Sequence, residues 1–458
     1  MKFRAPLVLA TLAFLAASCR TEKREEPGFH ELVPAHDRNA APNVVELDLV
    51  AKETDLEVVP GVRSHLWTYN DQFPGPLIEA NVGDTLIVHF RNELPVATTV
   101  HWHGLRIPDA MDGVTMMTAP VEPGGSFDYQ FTLPDAGMFW YHPHVSTDKE
   151  LPRGLYGAIV VHGPGEPSVS ATRTLVFSDA MFRGDGSIGV GGGMMSDMDG
   201  FEGSSLLVNG RLAESTILPI RAGEIQRWRL VNAAGARYLD LSLPGHTFHV
   251  IGTDGGLLQE PYDTDRLLIV PGQRYDLLVR GTGTPGSDVT LKSMPHDRGQ
   301  MNTDVSHTLA TLHYSSATPL AAASFPAVSR AIEALPTGAP ERMFDITDAG
   351  MSFAINGEQW PNVTTPQISL GADEVWTLKN DSHMDHPFHL HGQFFQPFEK
   401  DGVALPRREW HDTVNVPMSS TVKVAIRHGN PGMWMFHCHI LTHADNGMAG
   451  MIDVQPAP

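Results

Sequence analysis

At 458 residues the chain has length for about three domains, and its 41% hydrophobic and 19% charged residues exclude a disordered or fibrous protein. A formal net charge of −21 argues against nucleic acid as a partner. That charge suits the attraction of cations, and it suits equally a soluble protein with a repulsive surface.

The chain begins as an export signal. Met1-Lys2-Phe3-Arg4 precedes an apolar run from Ala5 to Ala17, too short to span a bilayer. The stretch LAASC at 15–19 resembles a bacterial lipoprotein cleavage site with Cys19 as the lipidated residue, although Leu15 stands one place early; plain cleavage after Ser18 is the alternative. Either route exports the protein, to the periplasm or to the cell envelope as a membrane-anchored lipoprotein. Residues 20–42 carry charge, Pro and Ala without an apolar period and are expected to form a flexible tether, with His30 and His36 in solvent.

A repeat follows: NDQFPGPLIEANVGDTLIVHFRN (70–92), NGRLAESTILPIRAGEIQRWRLVN (209–232) and NGEQWPNVTTPQISLGADEVWTLKN (356–380). Each copy has a turn asparagine, a short strand, a Gly turn (Gly83, Gly223, Gly371) and an alternating strand that ends in asparagine. Three copies predict three homologous all-β domains, each a two-sheet Greek-key β-sandwich, over residues 43–165, 166–325 and 326–458. The second opens with GDGSIGVGGGMMSDMDGFEG (184–203), whose glycines predict a flexible loop carrying Met194, Met195 and Met198 with Asp197 and Asp199. Such a loop suits soft-metal binding or substrate gating near solvent, or no special role.

Four histidine pairs have i, i+2 spacing: His101/His103 in HWHG, His142/His144 in WYHPH, His389/His391 in HPFHLHG, and His437/His439 around Cys438. Residues two apart on a strand share a face, so each pair presents two imidazoles to one side and Cys438 points to the other. Cys438, His443 and Met448 have the spacing of the thiolate, imidazole and weak axial thioether of a blue-copper site, and His386 supplies the second imidazole. Eight paired histidines can hold three coppers and the sulfur site a fourth. With Cys19 in the signal and Cys438 on a metal, no disulfide is expected in the mature chain. The pairs fall in the first and third domains only, so a cluster drawing on all four lies between those domains. The middle domain is left as a spacer that also shapes a surface. Its His246, His249, His296, His307 and His313 are expected to be ordinary core or surface histidines.

HWHG, WYHPH, HPFHLHG and HCHILTHADNGM together resemble the four copper motifs of the multicopper oxidases, from about residue 43 to the end, with the bacterial laccase and cuprous-oxidase branch nearest in appearance. The resemblance implies cupredoxin domains and four coppers: type 1 on His386, Cys438, His443 and Met448, type 2 on His101 and His389, and a type 3 pair on His103, His142, His144, His391, His437 and His439. It implies an oxidase that takes single electrons from Cu(I) or from phenolic or aromatic donors and reduces O2 to water. Met448, in place of Leu or Phe, implies a relatively low type 1 potential. Asp112 matches the acid that sits near the trinuclear cluster in relatives. Relatives carry a glutamate after the second type 1 histidine; Ala444 stands there, and neighbouring Asp445 is the candidate substitute. Asp412 is a candidate orienter of a ligating imidazole. Met384 matches a methionine of the Cu(I) site of cuprous oxidases and, with Asp385 and the Met194–Met198 loop, is expected to form a docking site for Cu(I). Electrons are expected to enter through an exposed edge of His386 or His443. A monomer is expected, with membrane contact only through the lipid anchor. The rival functions are a copper nitrite reductase, a metal-free structural relative of the cell-division type and a copper carrier. The three sandwich repeats and the complete ligand set speak against all three.

Overall fold

The computed structural model describes residues 29–301, 304–321, 323–328 and 330–456. The expected signal, Cys19 and the first part of the tether lie outside the described residues. Each repeat ends in a strand that runs parallel to an earlier strand of its own unit. Thr85–Asn92 lies on Val44–Val59, Ile225–Asn232 on Ala171–Phe182, and Asp373–Asn380 on Glu341–Ala349.

The repeated asparagines explain why the pattern recurs. Asn70, Asn209 and Asn356 sit at φ of 54°, 50° and 56°, a left-handed conformation that asparagine tolerates better than most residues. Each accepts a backbone N–H of that earlier strand through Oδ1, from Val50, Val176 and Asp345. The closing asparagines Asn92, Asn232 and Asn380 are fully buried. Each donates through Nδ2 to two backbone carbonyls: Val96 and Val121, Arg237 and Ile269, Met384 and Val416. A buried amide satisfied in this way pins the loop that follows the strand. In the third unit that loop leads into His386.

Among the described residues the strands form six sheets, two in each unit, and neighbours in a sheet are often distant in sequence, as in the order Val62–Tyr69, Val44–Val59, Thr85–Asn92, Ser126–Thr132. Each pair of sheets encloses an apolar core: around Leu49, Trp102 and Ile159 in the first, Trp228, Leu230 and Leu312 in the second, and Trp376, Phe388 and Trp434 in the third. Ala236, Tyr238 and Val270 of the middle unit belong to the third core, so these two units meet through packed apolar surface. Among the described residues no helix is long and apolar enough to cross a membrane.

Residues 29–42 correct the expectation of a tether running free to residue 42. Leu32 is buried in a cluster with Leu66, Phe73 and Trp140. Ala35 N donates to Leu77 O at 2.7 Å, and Asn209 Nδ2 donates to His30 O at 2.9 Å. The apolar residues are too few to show a period, but Leu32 covers the seam between the first two units and Ala35 packs against the first core. His36 is exposed as expected, whereas His30 is half-buried and burial lowers its pKa.

Candidate metal centre

Strand register builds the centre. His386–Leu390 pairs with Gly432–Cys438, placing Phe388 opposite Cys438 and His389 opposite His437. His101–His103 pairs with Gly137–His142, placing His101 opposite His142. Alternation then sends His389, His391, His437 and His439 to one side, and His386 and Cys438 to the other.

On the first side all eight paired histidines converge between the first and third units. His101 stacks on His391 with centroids 4.0 Å apart, and His103 on His389 at 3.8 Å. The Nε2 atoms of His391 and His437 lie 3.0 Å apart. Nitrogens of His101, His103 and His142, of His101, His389 and His391, and of His144, His391 and His437 each lie within 4.8 Å of one another.

These rings are oriented as ligands. His101 Nδ1 donates to Asp112 O at 2.9 Å, His389 Nδ1 to Asp412 O at 3.0 Å, His142 Nδ1 to Pro143 O at 2.9 Å and His437 Nδ1 to Cys438 O at 2.8 Å. That leaves the opposite nitrogens as lone pairs. Buried Nε2 of His101, His142 and His389, Nδ1 of His103 and both nitrogens of His439 have no protein partner. So many orphaned buried nitrogens facing one another fit metal ions and little else. Burial first, and then the neighbouring imidazoles, hold His103, His142, His144, His391 and His439 well below the usual histidine range. The same causes bring His437 to about 3. Neutral imidazole is the form that binds metal.

On the other side Cys438 Sγ lies 3.3 Å from His386 Nδ1 and 3.8 Å from His443 Nδ1, and Met448 is fully buried beside them. Burial pushes the thiol up to about 12. A soft cation reverses this, because it binds the thiolate. His386 Nε2 donates to Ser382 Oγ at 2.7 Å, and His443 Nε2 donates to Met198 O at 2.8 Å, so both Nδ1 atoms are free to ligate. The expected exposed histidine edge is therefore corrected: both rings are fully buried, and the 184–203 segment covers His443. That segment also departs from the expected loop, since Met194–Asp199 is a short helix braced by Gly192 N donating to Ser196 Oγ.

The five candidate docking residues separate. Met194 and Met195 are exposed. Met198 is half-buried and meets His443 through its backbone. Met384 lies in the third core at 3% exposure. Asp385 is buried and accepts from Asn415 Nδ2 at 2.8 Å and Met418 N at 2.9 Å. A methionine in the core and a carboxylate already engaged cannot join exposed thioethers in one surface site.

Two aspartates cross between units. Asp112, fully buried in the first, accepts from His391 Nδ1 of the third at 2.8 Å. Asp412, fully buried in the third, lies 3.4 Å from His103 Nε2 of the first. Burial opposes charge on Asp412, but the Arg274 guanidinium clamped across both its oxygens holds its carboxyl well below the usual carboxylate range. Arg274 comes from the middle unit, and its Nε reaches Met138 O in the first. Gly272 lies at φ +88°, and a Cβ there would stand 2.9 Å from the His439 ring and 3.1 Å from the His103 ring. The middle unit is thus a wall of the cluster as well as a spacer. Sequence reasoning missed both residues, for they belong to no motif; the lone sign was a turn glycine in PGQR. The middle unit's own histidines join none of the ligand groups among the described residues. His249 and His313, for instance, pair with Asp263 and Asp288.

A cavity of about 220 Å³ reaches His142, His144 and His437, and Ala444 and Asp445 line it. Burial, with Asp148 beside it, raises Asp445 to about 8, and Asp445 Oδ2 accepts from Asp148 N at 2.9 Å. Glu150, buried nearby, is also raised by burial to about 8.

Comparison with known proteins agrees with this geometry. Multicopper oxidase family descriptions match residues 51–166, 189–317 and 336–458. The multicopper oxidase MmcO of Mycobacterium tuberculosis is 30% identical, over 84% of this chain and 82% of its own. A Campylobacter jejuni multicopper oxidase described as a metallo-oxidase superposes with a TM-score of 0.85 at 27% identity, covering 94% of this chain and 95% of that one. A laccase-like CueO from an Ochrobactrum species, described as active on lignin model compounds and lignosulfonate, superposes with a TM-score of 0.81 at 25% identity, covering 93% and 99%. With eight converging imidazoles between its outer units and a buried thiol flanked by two more, the chain belongs to the multicopper oxidase family and is a copper-dependent oxidase.

Proposed function

We propose that the chain holds four coppers, with type 1 on His386, Cys438, His443 and Met448, type 2 on His101 and His389, and the type 3 pair on His103, His142, His144, His391, His437 and His439. The carrying observation is Cys438: its sulfur lies among the type 1 ligands while the histidines on either side of it face the eight-imidazole cluster. When bound, copper supplies a one-electron couple at the sulfur site and the four-electron reduction of O2 to two waters at the cluster.

The protein's own groups do the rest. Asp112, bonded to His391, holds that ring's tautomer and stores a proton beside the cluster. Asp445 supplies a second proton along the 220 Å³ cavity, in place of the acid that Ala444 lacks. Asp412 fixes His103 and His389 in position. The donor is Cu(I) or a phenolic or aromatic compound; of the two structural relatives, one is described as a metallo-oxidase and the other as active on lignin model compounds. Residues 1–19 support export, to the periplasm or as a lipid-anchored protein at the cell envelope.

The test is copper content, visible spectrum and O2 uptake of the fully loaded protein, with Cu(I) and a phenol panel as donors. Cys438→Ser is expected to lose the intense thiolate–copper absorption and all oxidase turnover while about three coppers remain. A blue protein after that substitution overturns the assignment.

A further inference from the structure

The strand Gly432–Cys438 carries two different faces. Trp434, Phe436 and Cys438 point into the third core, where Ile452 and Val454 of the neighbouring strand Ala449–Gln455 join them. Met433, Met435 and His437 alternate with these residues and share the outer face. Met451 stands opposite Met435 in the antiparallel register, so it lies on that face too. The outer face meets the first unit. Met435 and Met451 form a separate cluster with Val114 and Ala449, and half-buried Met117, Met433 and Trp360 pack against it. Asp109 of the first unit accepts from Met433 N at 3.0 Å and fixes the start of the strand across the seam.

Apolar contact alone does not account for this choice of residue. The inner face of the same two strands is packed with aromatic and β-branched side chains and carries no methionine, as is ordinary in a strand. On the outer face four methionines from two units meet in one place. Methionine loses more rotamer freedom on burial than valine or isoleucine and specifies a core less well. What it adds is a thioether, a neutral soft donor that favours Cu(I). The seam also leads inward. Met435, Val114 and Trp360 line the cavity of about 220 Å³ that reaches His142, His144 and His437. His144 alone of the eight cluster histidines keeps partial exposure. Met433, Met435 and His437 follow one another at steps of about 7 Å, two residues of strand rise, within reach of flexible side chains. Met116, beside Met117 in the chain, is 56% exposed. Soft donors thus extend from solvent to a cluster ligand.

We propose that this thioether seam is the port through which Cu(I) enters the cluster, the methionines binding the ion weakly and passing it to His144 and His437. This rests on the reading that the eight imidazoles hold three coppers. Transfer is ligand exchange: copper–sulfur bonds break as copper–nitrogen bonds form, and the metal stays Cu(I). A few neutral thioethers hold the ion less firmly than converging imidazoles, so exchange runs inward. Cys438 points to the opposite face of the sheet, so the port serves the cluster and not the type 1 site.

The test strips copper from the full chain and follows reloading from buffered Cu(I) without oxygen, counting bound copper against time. Met117→Leu/Met433→Leu/Met435→Leu keeps the apolar volume and removes the donors. It should slow filling of the cluster about tenfold, since leucine offers no ligand. The Cys438 site should fill at the wild-type rate, read as blue absorption after brief oxidation of each sample. Loading from Cu(II), which gains little from thioethers, should not change. Met343→Leu/Met351→Leu, at exposed methionines outside the seam, should load as wild type. Silver(I), a redox-inert soft cation, should bind the copper-loaded wild type with about one equivalent more than the triple variant. Should the triple variant misfold, Met117→Leu/Met433→Leu, at two half-buried positions, replaces it and should show the same selective slowing. Equal filling of the cluster from Cu(I) in wild type and folded variant overturns the proposal, as does equal silver binding. So does equal slowing with Cu(I) and Cu(II), which would make the seam a matter of shape, or equal slowing of the type 1 site, which would make it a matter of folding. A wild type whose cluster takes up no copper from either ion would instead sink the four-copper reading, and the silver titration would still decide the port.

Discussion

Asp112 and Asp412 occupy matching places on opposite sides of one cluster, and only Asp412 carries a cation. Each is fully buried, each turns its backbone carbonyl to a histidine of its own unit, and each turns its carboxylate to a histidine of the other. Asp412 carries Arg274 across both its oxygens. Asp112 carries no guanidinium, and its Oδ1 has no hydrogen-bond partner in the protein. A carboxylate locked to arginine stays charged and serves as a fixed point. One without a cation lacks that lock. The same position in a pseudo-symmetric frame is thus a structural anchor in one unit, and in the other it holds the residue proposed above as the proton donor.

The largest way to break this comparison is to remove the cation. Arg274→Met leaves Asp412 buried and unpaired, and loss of one partner of a buried pair costs about 3–5 kcal/mol. Since Arg274 also bonds Met138 O, the three units should loosen together, seen as a lower unfolding temperature and weaker copper retention. Adding Asp412→Asn to Arg274→Met should recover part of the loss, because Asp412 then leaves no uncompensated charge of its own. A double variant as unstable as the sum of the two single ones would show that Arg274 acts through its backbone contacts and not through the pair.

The next effect lies on Asp112. Asp112→Asn keeps the shape but cannot exchange a proton, so turnover at saturating donor should fall by about 10²-fold, the usual scale for a general acid. Copper content should hold, and the pH–rate profile should shift. Asp412→Asn should instead cost stability more than turnover. Unaltered turnover of Asp112→Asn between pH 5 and 8 would remove Asp112 from the chemistry.

How much of this was legible in the sequence depends on whether the information was local. The histidine pairs were legible because i, i+2 spacing on a strand fixes a shared face, and the structure brings His101, His103, His142, His144, His389, His391, His437 and His439 together. The repeat was legible because Asn70 and Asn92, like their counterparts, bond within their own unit. Arg274 was not legible, since its partner Asp412 lies 138 positions away and nothing near either residue announces the pair. Leu32 and Ala35 were read as tether for the same reason: two residues docking on a distant surface leave no period. In the 184–203 segment the glycines did mark breaks, at Gly193 and Gly200, but they hid the turn of helix between them, whose brace is a single serine hydroxyl. Met384 misled because its motif position was right and its burial could not be read from spacing.

The smallest effect sharpens the comparison with a third carboxylate, one kept neutral by burial. Glu150 is 2% exposed, accepts from Thr98 Oγ1 at 2.6 Å, and is raised by burial to about 8. An unfolded chain would release that proton near pH 4.3. The native state therefore holds a proton that the unfolded state has lost across the window from about 4.3 to 8. Stability from this group is fully present below that window and drains away as pH rises through it. Glu150→Gln mimics the neutral acid and titrates nowhere. Wild type and variant should unfold within about a degree of each other at pH 4.5, and the variant should gain on the wild type up to pH 8.5. A difference of one kcal/mol shifts the midpoint by about 2–4 °C in domains of this size, so calorimetry of the copper-loaded chain resolves it. Parallel curves across the whole range would mean that Glu150 is ionised in the folded protein, and that burial does not outweigh the nearby Arg153.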